Sequence, residues 1–339
     1  MPFVLALLLA GPLGLRTQGP LRELFLDMTG ADARPIDRPE LDLRWSLANT
    51  WNELMTLRRG QGYASQELDE QADSLSVQLK IPWQGRAWTS LEWKLTEHWG
   101  GWSDRPIEAW HSLIGAFNYQ RSINPRDRVH LLFQDDGGRA FSIDSATLAP
   151  GDATVRTQVA LLEAKVALAA RFDLKLPVGS LSAAGGSGGV DAGAGLVATW
   201  PFSSWGTLHA LVALSRFSPL SAPTLLQPKE WHFTAEASFE ARLGETALLL
   251  EDRVLSPLLA PGWERLPSGV GGDDALLSSG LYAGFRSHNQ ISLGVRRGRF
   301  SAWMSEDFTP GSNPHSVQRW LWVSNAPDVV LGLAFTMPL

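Results

Sequence analysis

The chain has 339 residues, a formal net charge of −6, no cysteine, and 15 tryptophans against only 3 tyrosines. The acidic balance offers no basic footprint for nucleic acid, and without cysteine neither a disulfide framework nor a thiolate metal site can form. Beyond the N-terminus no run of 18 apolar residues occurs, which excludes a membrane-spanning helix. Because Trp favours membrane–water interfaces, its excess points to a membrane protein of another kind.

The N-terminus carries an apolar run over residues 2–10, which Gly11-Pro12 follows. A run of this length predicts a secretory signal peptide over residues 1–10, with an end that could lie as far as residue 19, although no Lys or Arg precedes it. The alternative is a buried N-terminal strand or helix. Residues 11–40 are rich in Pro, Gly and charge and have no clear period, so they predict an extended segment.

Apolar and polar residues alternate in many stretches after residue 40, as they do in strands with one apolar and one polar face. The alternating runs are 41–51, 75–83, 91–96, 172–176, 208–214, 233–243 and 291–296. A short turn is predicted at 84–86 and a long polar loop at 58–72. Short turns at one end and long loops at the other are typical of an outer-membrane barrel, and several strands exceed the 5–6 residues usual in soluble sheets.

The last strand, residues 329–339, is apolar at every second position: Val329, Leu331, Leu333, Phe335, Met337 and Leu339. Its length fits the 9–11 residues that a tilted strand needs to cross a bilayer. A soluble β-sandwich shows the same alternation, but the N-terminal run, the Trp excess and the strand lengths favour a membrane. We therefore predict an all-β fold, an antiparallel transmembrane β-barrel over residues 41–339 with about 12 strands, 14 being possible. Residues 11–40 would lie in its lumen as a plug or cap its periplasmic end.

One stretch within 104–114 follows a helical period instead, with residues of its apolar stripe at Ile107, Trp110, His111 and Ile114. This spacing predicts a short helix in one long loop, with Ser103 or Asp104 as its N-cap. The helix either packs over a loop or dips into the lumen, where Glu108 and His111 would meet a solute.

No motif in the sequence indicates catalysis or a cofactor. Residues 185–189, Gly-Gly-Ser-Gly-Gly, lack the Lys-Ser/Thr of a phosphate-binding loop and predict a flexible exposed loop. The seven histidines show no metal-ligand spacing, so no metal site is predicted. No Gly-x-Ser-x-Gly elbow occurs, but His130 with Ser142, or His209 with Ser238, leaves a barrel hydrolase open as an alternative.

The sequence resembles a bacterial family known only as domain of unknown function 3187. The resemblance begins with Gly11-Pro12-Leu13, Arg16-x-Gln18-x-Pro20-Leu21 and Leu24-Phe25-Leu26, and it continues through the Gly100-Gly101 segment with His111. It reaches Leu174-Lys175-Leu176-Pro177, Ser305-Glu306-Asp307 and Ala326-Pro327-Asp328-Val329, and so spans nearly the whole chain. The resemblance implies an outer-membrane barrel and brings no activity with it.

Together these patterns predict a monomeric, non-enzymatic barrel in the outer membrane of a Gram-negative-type bacterium, acting as a channel or binding site for a small solute. Its expected partners are outer-membrane lipid, lipopolysaccharide and the barrel-assembly machinery, with no nucleic acid and no cofactor. The predicted lumen or solute-binding residues are Arg16, Gln18, Lys94, Glu108, His111, Glu236, Glu240, Arg242 and Arg296. A lipid- or lipopolysaccharide-modifying enzyme and a structural or adhesion barrel remain the alternatives.

Overall fold

The computed structural model describes residues 11–83, 85–114, 125–222, 224–225, 227–259, 264–265, 287–307 and 329–339. Its elements in chain order are β1 (Glu40–Arg59), β2 (Gly62–Trp83), β3 (Ala87–Trp99), α1 (Asp104–Ile114), β4 (His130–Asp135), β5 (Gly138–Ile143), β6 (Thr147–Pro150), β7 (Ala153–Leu162), β8 (Ala167–Leu176), β9 (Asp191–Pro201), β10 (Gly206–Arg216), β11 (Trp231–Leu243), β12 (Thr246–Leu255), β13 (Glu264–Arg265), β14 (His288–Arg297), β15 (Phe300–Asp307) and β16 (Val329–Pro338). No helix within these ranges is long and apolar enough to cross a membrane.

Twelve of the described strands close into one antiparallel ring. Around the ring the neighbours are β1, β2, β3, β7, β8, β9, β10, β11, β12, β14, β15 and β16, and β16 returns to β1. Strand β1 closes the ring because Leu41 lies opposite both Leu79 of β2 and Met337 of β16. A closed ring leaves no free strand edge. The prediction of an antiparallel transmembrane β-barrel with about 12 strands is confirmed.

The two faces of the barrel wall differ as the alternation predicts. On β2 the side chains of Leu75 and Leu79 are 47% and 37% exposed, whereas those of Ser74 and Gln78, one position before each, are 3% and 4% exposed. The ring repeats this pattern, and its buried inward-facing charged residues include Glu92, Arg156, Arg171, Asp173, Lys175, Glu236, Glu240, Glu251 and Arg253. The apolar side chains therefore face outward, where lipid can cover them, and the charged side chains surround the lumen.

Aromatic side chains mark the ends of the outward apolar face. Trp83, Trp205 and Phe300 are exposed and lie at the ends of strands beside short turns, and Trp231 is exposed at the opposite end of the wall. Trp and other amphipathic rings prefer the headgroup level of a bilayer. Their positions are those of the two aromatic girdles of a transmembrane barrel.

The two ends of the barrel have different connections. At one end the described turns are 85–86, 163–166, 202–205, 244–245 and 298–299. At the other end lie the longer connections, among them residues 100–114 with α1, residues 125–152 with β4 to β6, and residues 177–190. Because short turns face the periplasm in bacterial barrels, we call the end with the short turns periplasmic and the end with the long connections extracellular.

Residues 58–72 do not form the long loop that their polarity predicts. Strand β1 runs to Arg59, and β2 begins at Gly62 and continues without a break, so a two-residue turn joins strands of 20 and 22 residues. Gly60 has φ +60°, which glycine adopts without strain. The prediction was wrong because this hairpin extends beyond the membrane wall, where β4 pairs with β2 and the strand needs no apolar outer face.

The glycine-rich loop is packed rather than flexible and exposed, so that prediction was also wrong. Gly185 and Gly186 are buried, and a Cβ atom on Gly185 would lie 2.2 Å from the carbonyl oxygen of Pro150. The buried ammonium group of Lys175 donates hydrogen bonds to Ser187 Oγ at 2.8 Å and to the carbonyl oxygen of Gly189 at 2.9 Å. Glycine is required here because the loop backbone approaches the barrel wall closely.

The predicted short helix is confirmed as α1. The amide of Ile107 donates to the carbonyl oxygen of Ser103 at 3.0 Å, and the side-chain amide of Asn49 donates to Ser103 Oγ at 2.8 Å. The indole of Trp110 donates to a carboxylate oxygen of Glu306 at 3.1 Å. These contacts fix the helix beside the middle of β1 and the extracellular end of β15.

Candidate lumenal site

Residues 11–35, here called the lumenal segment, run through the interior of the barrel. The segment begins beside Glu240 at the periplasmic end, because the amide of Gly11 donates to Glu240 Oε2 at 3.2 Å. It reaches the extracellular end, where Phe25 stacks on Phe217 with ring centroids 5.0 Å apart. It then returns, since Ala33 donates to Thr199 Oγ1 at 2.9 Å, and the chain enters β1. The segment therefore enters and leaves the lumen at the periplasmic end.

Carboxylates of the barrel wall accept hydrogen bonds from the backbone of the lumenal segment. Gly30 donates to Glu236 Oε2 at 2.8 Å, and Leu26 donates to Asp191 Oδ2 at 2.9 Å. Leu13 likewise donates to Glu251. An extended segment has backbone N–H groups that no helix or sheet satisfies, so these acceptors replace the missing ladder.

Arginines of the wall bind the carbonyl groups of the same segment. Arg44 donates to the carbonyl oxygens of both Leu13 and Gly14, each at 2.8 Å. Arg253 donates to the carbonyl oxygen of Leu15 at 2.8 Å and pairs with Asp27. Many of the inward-facing charged side chains that the alternation predicts therefore bind this segment. Hydrogen bonds that involve a charged group are stronger than those between two neutral groups.

Apolar residues close the extracellular side of the lumen. The buried cluster of the lumenal segment consists of Leu21, Leu24, Phe25, Leu26 and Met28. It packs with Phe133 of β4, Phe141 of β5 and Phe217 in one contiguous core. The barrel is thus blocked by an apolar layer near its extracellular end and by polar contacts below it.

A small cavity remains between the lumenal segment and the wall made by β1, β2, β3, β15 and β16. It has about 40 Å³ of space for the centres of water molecules, and Arg16, Gln18 and Lys94 line it. Arg16 Nη1 lies 3.3 Å from Glu92 Oε1, Lys94 Nζ lies 2.8 Å from Glu23 Oε2, and Gln18 Nε2 donates to Ser46 Oγ at 2.5 Å. Three of the nine predicted site residues therefore meet at one place.

Three further predicted residues meet in a cleft at the periplasmic end, formed with the turn between β11 and β12. Glu240 Oε1 accepts a hydrogen bond from Arg242 Nε at 2.6 Å, and Glu240 Oε2 lies 3.4 Å from Arg296 Nη1. Glu236 lies apart from both groups, deeper in the lumen, where it holds Gly30.

Of the two predicted residues on α1, Glu108 does not join these groups. Glu108 pairs with Arg126 of the following loop, with Oε2 and Nη2 2.8 Å apart. The side chain of His111 lies outside the described part of the structure.

Sequence reasoning missed several lumenal residues, chiefly Glu23, Glu92, Glu251, Asp27 and Arg253. Glu92 could have been found, because it shares the inward face of β3 with Lys94 two positions later. Glu23 and Asp27 lie in a segment without periodicity, so no pattern indicates which way their side chains point.

The two Ser–His pairs on which the alternative of a barrel hydrolase depends do not form a nucleophile–base hydrogen bond in the structure. His130 Nδ1 pairs with Asp144, its Nε2 lies 3.3 Å from Glu67 Oε2, and Ser142 Oγ donates to Asp144 instead, at 3.2 Å. The hydrogen bond from His130 lowers the pKa of the Asp144 carboxyl group. A serine nucleophile needs the imidazole itself as its proton acceptor, so this arrangement is a hydrogen-bonded cluster on the extracellular side and not a nucleophile–base pair.

The second pair, His209 with Ser238, also lacks that bond. His209 Nδ1 lies 3.0 Å from Thr199 Oγ1, and Ser238 Oγ has no hydrogen-bond partner among the residues described. Among all the residues that the structure describes, no group of three His, Asp or Glu side chains is arranged to bind a metal ion.

The closed ring, its outward apolar belt and its charged lumen define a transmembrane β-barrel of the outer-membrane type. The chain belongs to the family described as "Protein of unknown function (DUF3187)", which matches residues 6–258. That membership confirms the resemblance seen in the sequence. A search of curated proteins finds none that matches the chain.

Several solved barrels are similar in architecture. They include the COG4313 outer membrane channel from Pseudomonas putida F1, with 11% identity and a TM-score of 0.48 over 89% of this chain and 96% of that one. A Pseudomonas aeruginosa FadL homologue has 8% identity and a TM-score of 0.39 over 98% and 99% of the two chains. The CymD monoaromatic hydrocarbon channel has 12% identity and a TM-score of 0.39 over 89% and 88%. At these values the likeness says nothing about what enters this lumen.

Proposed function

We propose that the protein is an outer-membrane channel for a small solute, and that the lumenal segment holds its lumen closed. The observation that carries the proposal is a wide, charged lumen filled by a separate stretch of chain. Eight-stranded barrels can be filled by their own side chains, whereas a ring of 12 strands leaves more room. A purely structural barrel would need only a rigid wall and would not require charged side chains around its lumen.

The way in which the lumenal segment is bound allows it to move. Its described backbone pairs with no strand of the wall, and it is held by side-chain hydrogen bonds such as those from Arg44 and Arg253 and to Glu236. Both of its ends lie at the periplasmic side, so it can withdraw in that direction without threading through the barrel. Movement of the segment opens a path lined by the inward charges.

Conductance in planar bilayers tests the proposal directly. The wild-type chain is expected to show small currents, and a variant without residues 11–35 is expected to show single-channel currents at least fivefold larger. Retention of the heat-dependent shift in gel mobility shows that the deletion variant still forms a barrel. A folded deletion variant that passes no current would overturn the channel.

A disulfide tether provides a second test that leaves the barrel intact. Ala33 and Thr199 are in hydrogen-bond contact, and the chain has no cysteine of its own, so the pair Ala33→Cys and Thr199→Cys introduces the only thiols. Oxidation is expected to abolish current fluctuations that need segment movement, and a reductant is expected to restore them. Each single-cysteine variant is the control, and currents that ignore the redox state would show that the segment does not gate.

The outer membrane of a Gram-negative-type bacterium is the location that this proposal requires, with assembly as a monomer by the barrel-assembly machinery. The outward apolar belt and its aromatic girdles support it, because they suit a bilayer and are unsuited to water. Separation of inner and outer membranes on a density gradient tests the location. Recovery of the protein in the soluble fraction would contradict it.

A further inference from the structure

The cavity beside the lumenal segment has four serine hydroxyls in a lining that also carries five charged side chains. The serines that line it are Ser46, Ser74, Ser76 and Ser305. Leu15, Trp303 and Val330 supply the apolar part of the lining. A serine hydroxyl can donate and accept one bond at the same time, so this wall accommodates either partner of a hydrogen bond.

Two buried acceptors in the lining have no partner among the described residues. They are Gln18 Oε1 and Glu23 Oε1. The Glu23 side chain is only 3% exposed, and its other oxygen is already held by Lys94. Buried polar atoms are almost always hydrogen-bonded, so each of these oxygens calls for a donor from the cavity.

The charges around the cavity disfavour a charged occupant of either sign. A free cation would meet Arg16, Arg44 and Lys94, and a free anion would meet Glu23 and Glu92. A hydrocarbon would leave the unpartnered oxygens of Gln18 and Glu23 without donors, although the hydroxyl groups of Ser46, Ser74 and Ser305 already bond to Gln18, Thr96 and Gln290. An uncharged molecule with several hydroxyl groups can donate to both oxygens without adding a charge, as bound water also can.

We infer that this cavity is the solute site of the proposed channel and that it takes small uncharged polyols. The inference rests on the channel function and adds the class of solute. A cavity of about 40 Å³ holds roughly three water molecules at 10–15 Å³ each, so three-carbon polyols need the least movement of the lumenal segment. Larger sugars need the segment to withdraw.

Swelling of proteoliposomes containing the full chain tests the inference. The probes are glycerol, the anion glycerate and the cation choline, each corrected for entry into protein-free vesicles. Glycerol is expected to enter at least fivefold faster than either ion. Ser76→Val, which removes a cavity hydroxyl, is expected to lower glycerol entry at least threefold. Ser292→Val, at a buried lumenal serine of β14 outside the cavity lining, is the matched control and is expected to change entry little.

The outcomes separate the solute class from the channel itself. Equal entry of all three probes, no glycerol entry, or equal effects of the two serine variants would overturn the polyol site. In each of those cases, bilayer currents through the variant without residues 11–35 would still support the channel function. Absence of current through that folded variant would overturn the channel, and the solute site with it.

Discussion

Arg253 offers the sharpest perturbation of the lumenal segment. Its guanidinium is buried on β12 and donates to the carbonyl oxygen of Leu15 at 2.8 Å while it pairs with the buried carboxylate of Asp27. Arg253→Met keeps much of the side-chain volume but removes the charge. With the segment in place, Asp27 is then left buried with its hydrogen bond from the amide of Thr17 and without its cation.

Breaking one side of a buried ion pair costs about 3–5 kcal/mol. Here most of the cost falls on the docked segment, because Asp27 regains water once the segment leaves the lumen, whereas the wall loses only the longer pair of Arg253 Nε with Glu236 Oε2 at 3.8 Å. At about 1.4 kcal/mol per factor of ten, the undocked population is expected to rise roughly 10²- to 4 × 10³-fold. The strand pairs of β12 with β11 and β14 do not involve this side chain, so the barrel itself is expected to persist.

Two assays measure the change: channel open probability in planar bilayers and trypsin cleavage after Arg16 and Arg22 of the segment. Both are expected to rise in Arg253→Met. The double variant Arg253→Met with Asp27→Asn is expected to recover part of the docking, because it removes the stranded charge. Arg216→Met breaks an exposed ion pair with Glu230 and is expected to change neither assay. A folded Arg253→Met protein with wild-type open probability and cleavage would refute the reasoning.

Three further predictions concern the wall and its loops. Leu75→Arg places a charge on the lipid-facing side and is expected to destabilise the barrel by about 2–4 kcal/mol in a urea titration. Tyr63→Arg, on the extracellular hairpin, is the control and should change the midpoint little. Equal midpoints for the two variants would place Leu75 outside the membrane. Lys175→Met leaves Asp152 and Asp191 without their buried cation and is expected to lower the free energy of unfolding by about 3–5 kcal/mol. Adding Asp152→Asn should recover part of this loss. An unchanged urea midpoint would mean that this lysine does not hold the glycine-rich loop. A Cβ atom on Gly60 would have no other atom within 4 Å, so Gly60→Val should lose stability only through its backbone conformation. At φ +60° that loss is expected to be about 1–2 kcal/mol in the same titration. A larger loss would mean that the new side chain collides with a neighbour.

The sequence by itself determined the barrel and the two faces of its wall. Alternation has a period of two, and a closed sheet has only an inside and an outside, so locating Leu75 outside also locates Ser74 and Ser76 inside. Glu236, Glu240, Arg242 and Lys94 were assigned to the lumen on this basis, and the structure places them there. Local pattern was sufficient because each assignment depends only on neighbours in the chain.

The sequence offered residues 11–40 either as a plug or as a periplasmic cap, and only the tertiary structure decided between them and gave the contacts that hold residues 11–35 in the lumen. Gly30 meets Glu236 across 206 positions of sequence, and Leu15 meets Arg253 across 238, in a segment with no period of its own. Contacts at such separation depend on how the ring closes, which no local pattern encodes. The buried glycine-rich loop and the extended β1–β2 hairpin were misread for the same reason. Their glycine and polar residues indicate a loop locally, and only the neighbouring Pro150 and β4 show why those residues are needed.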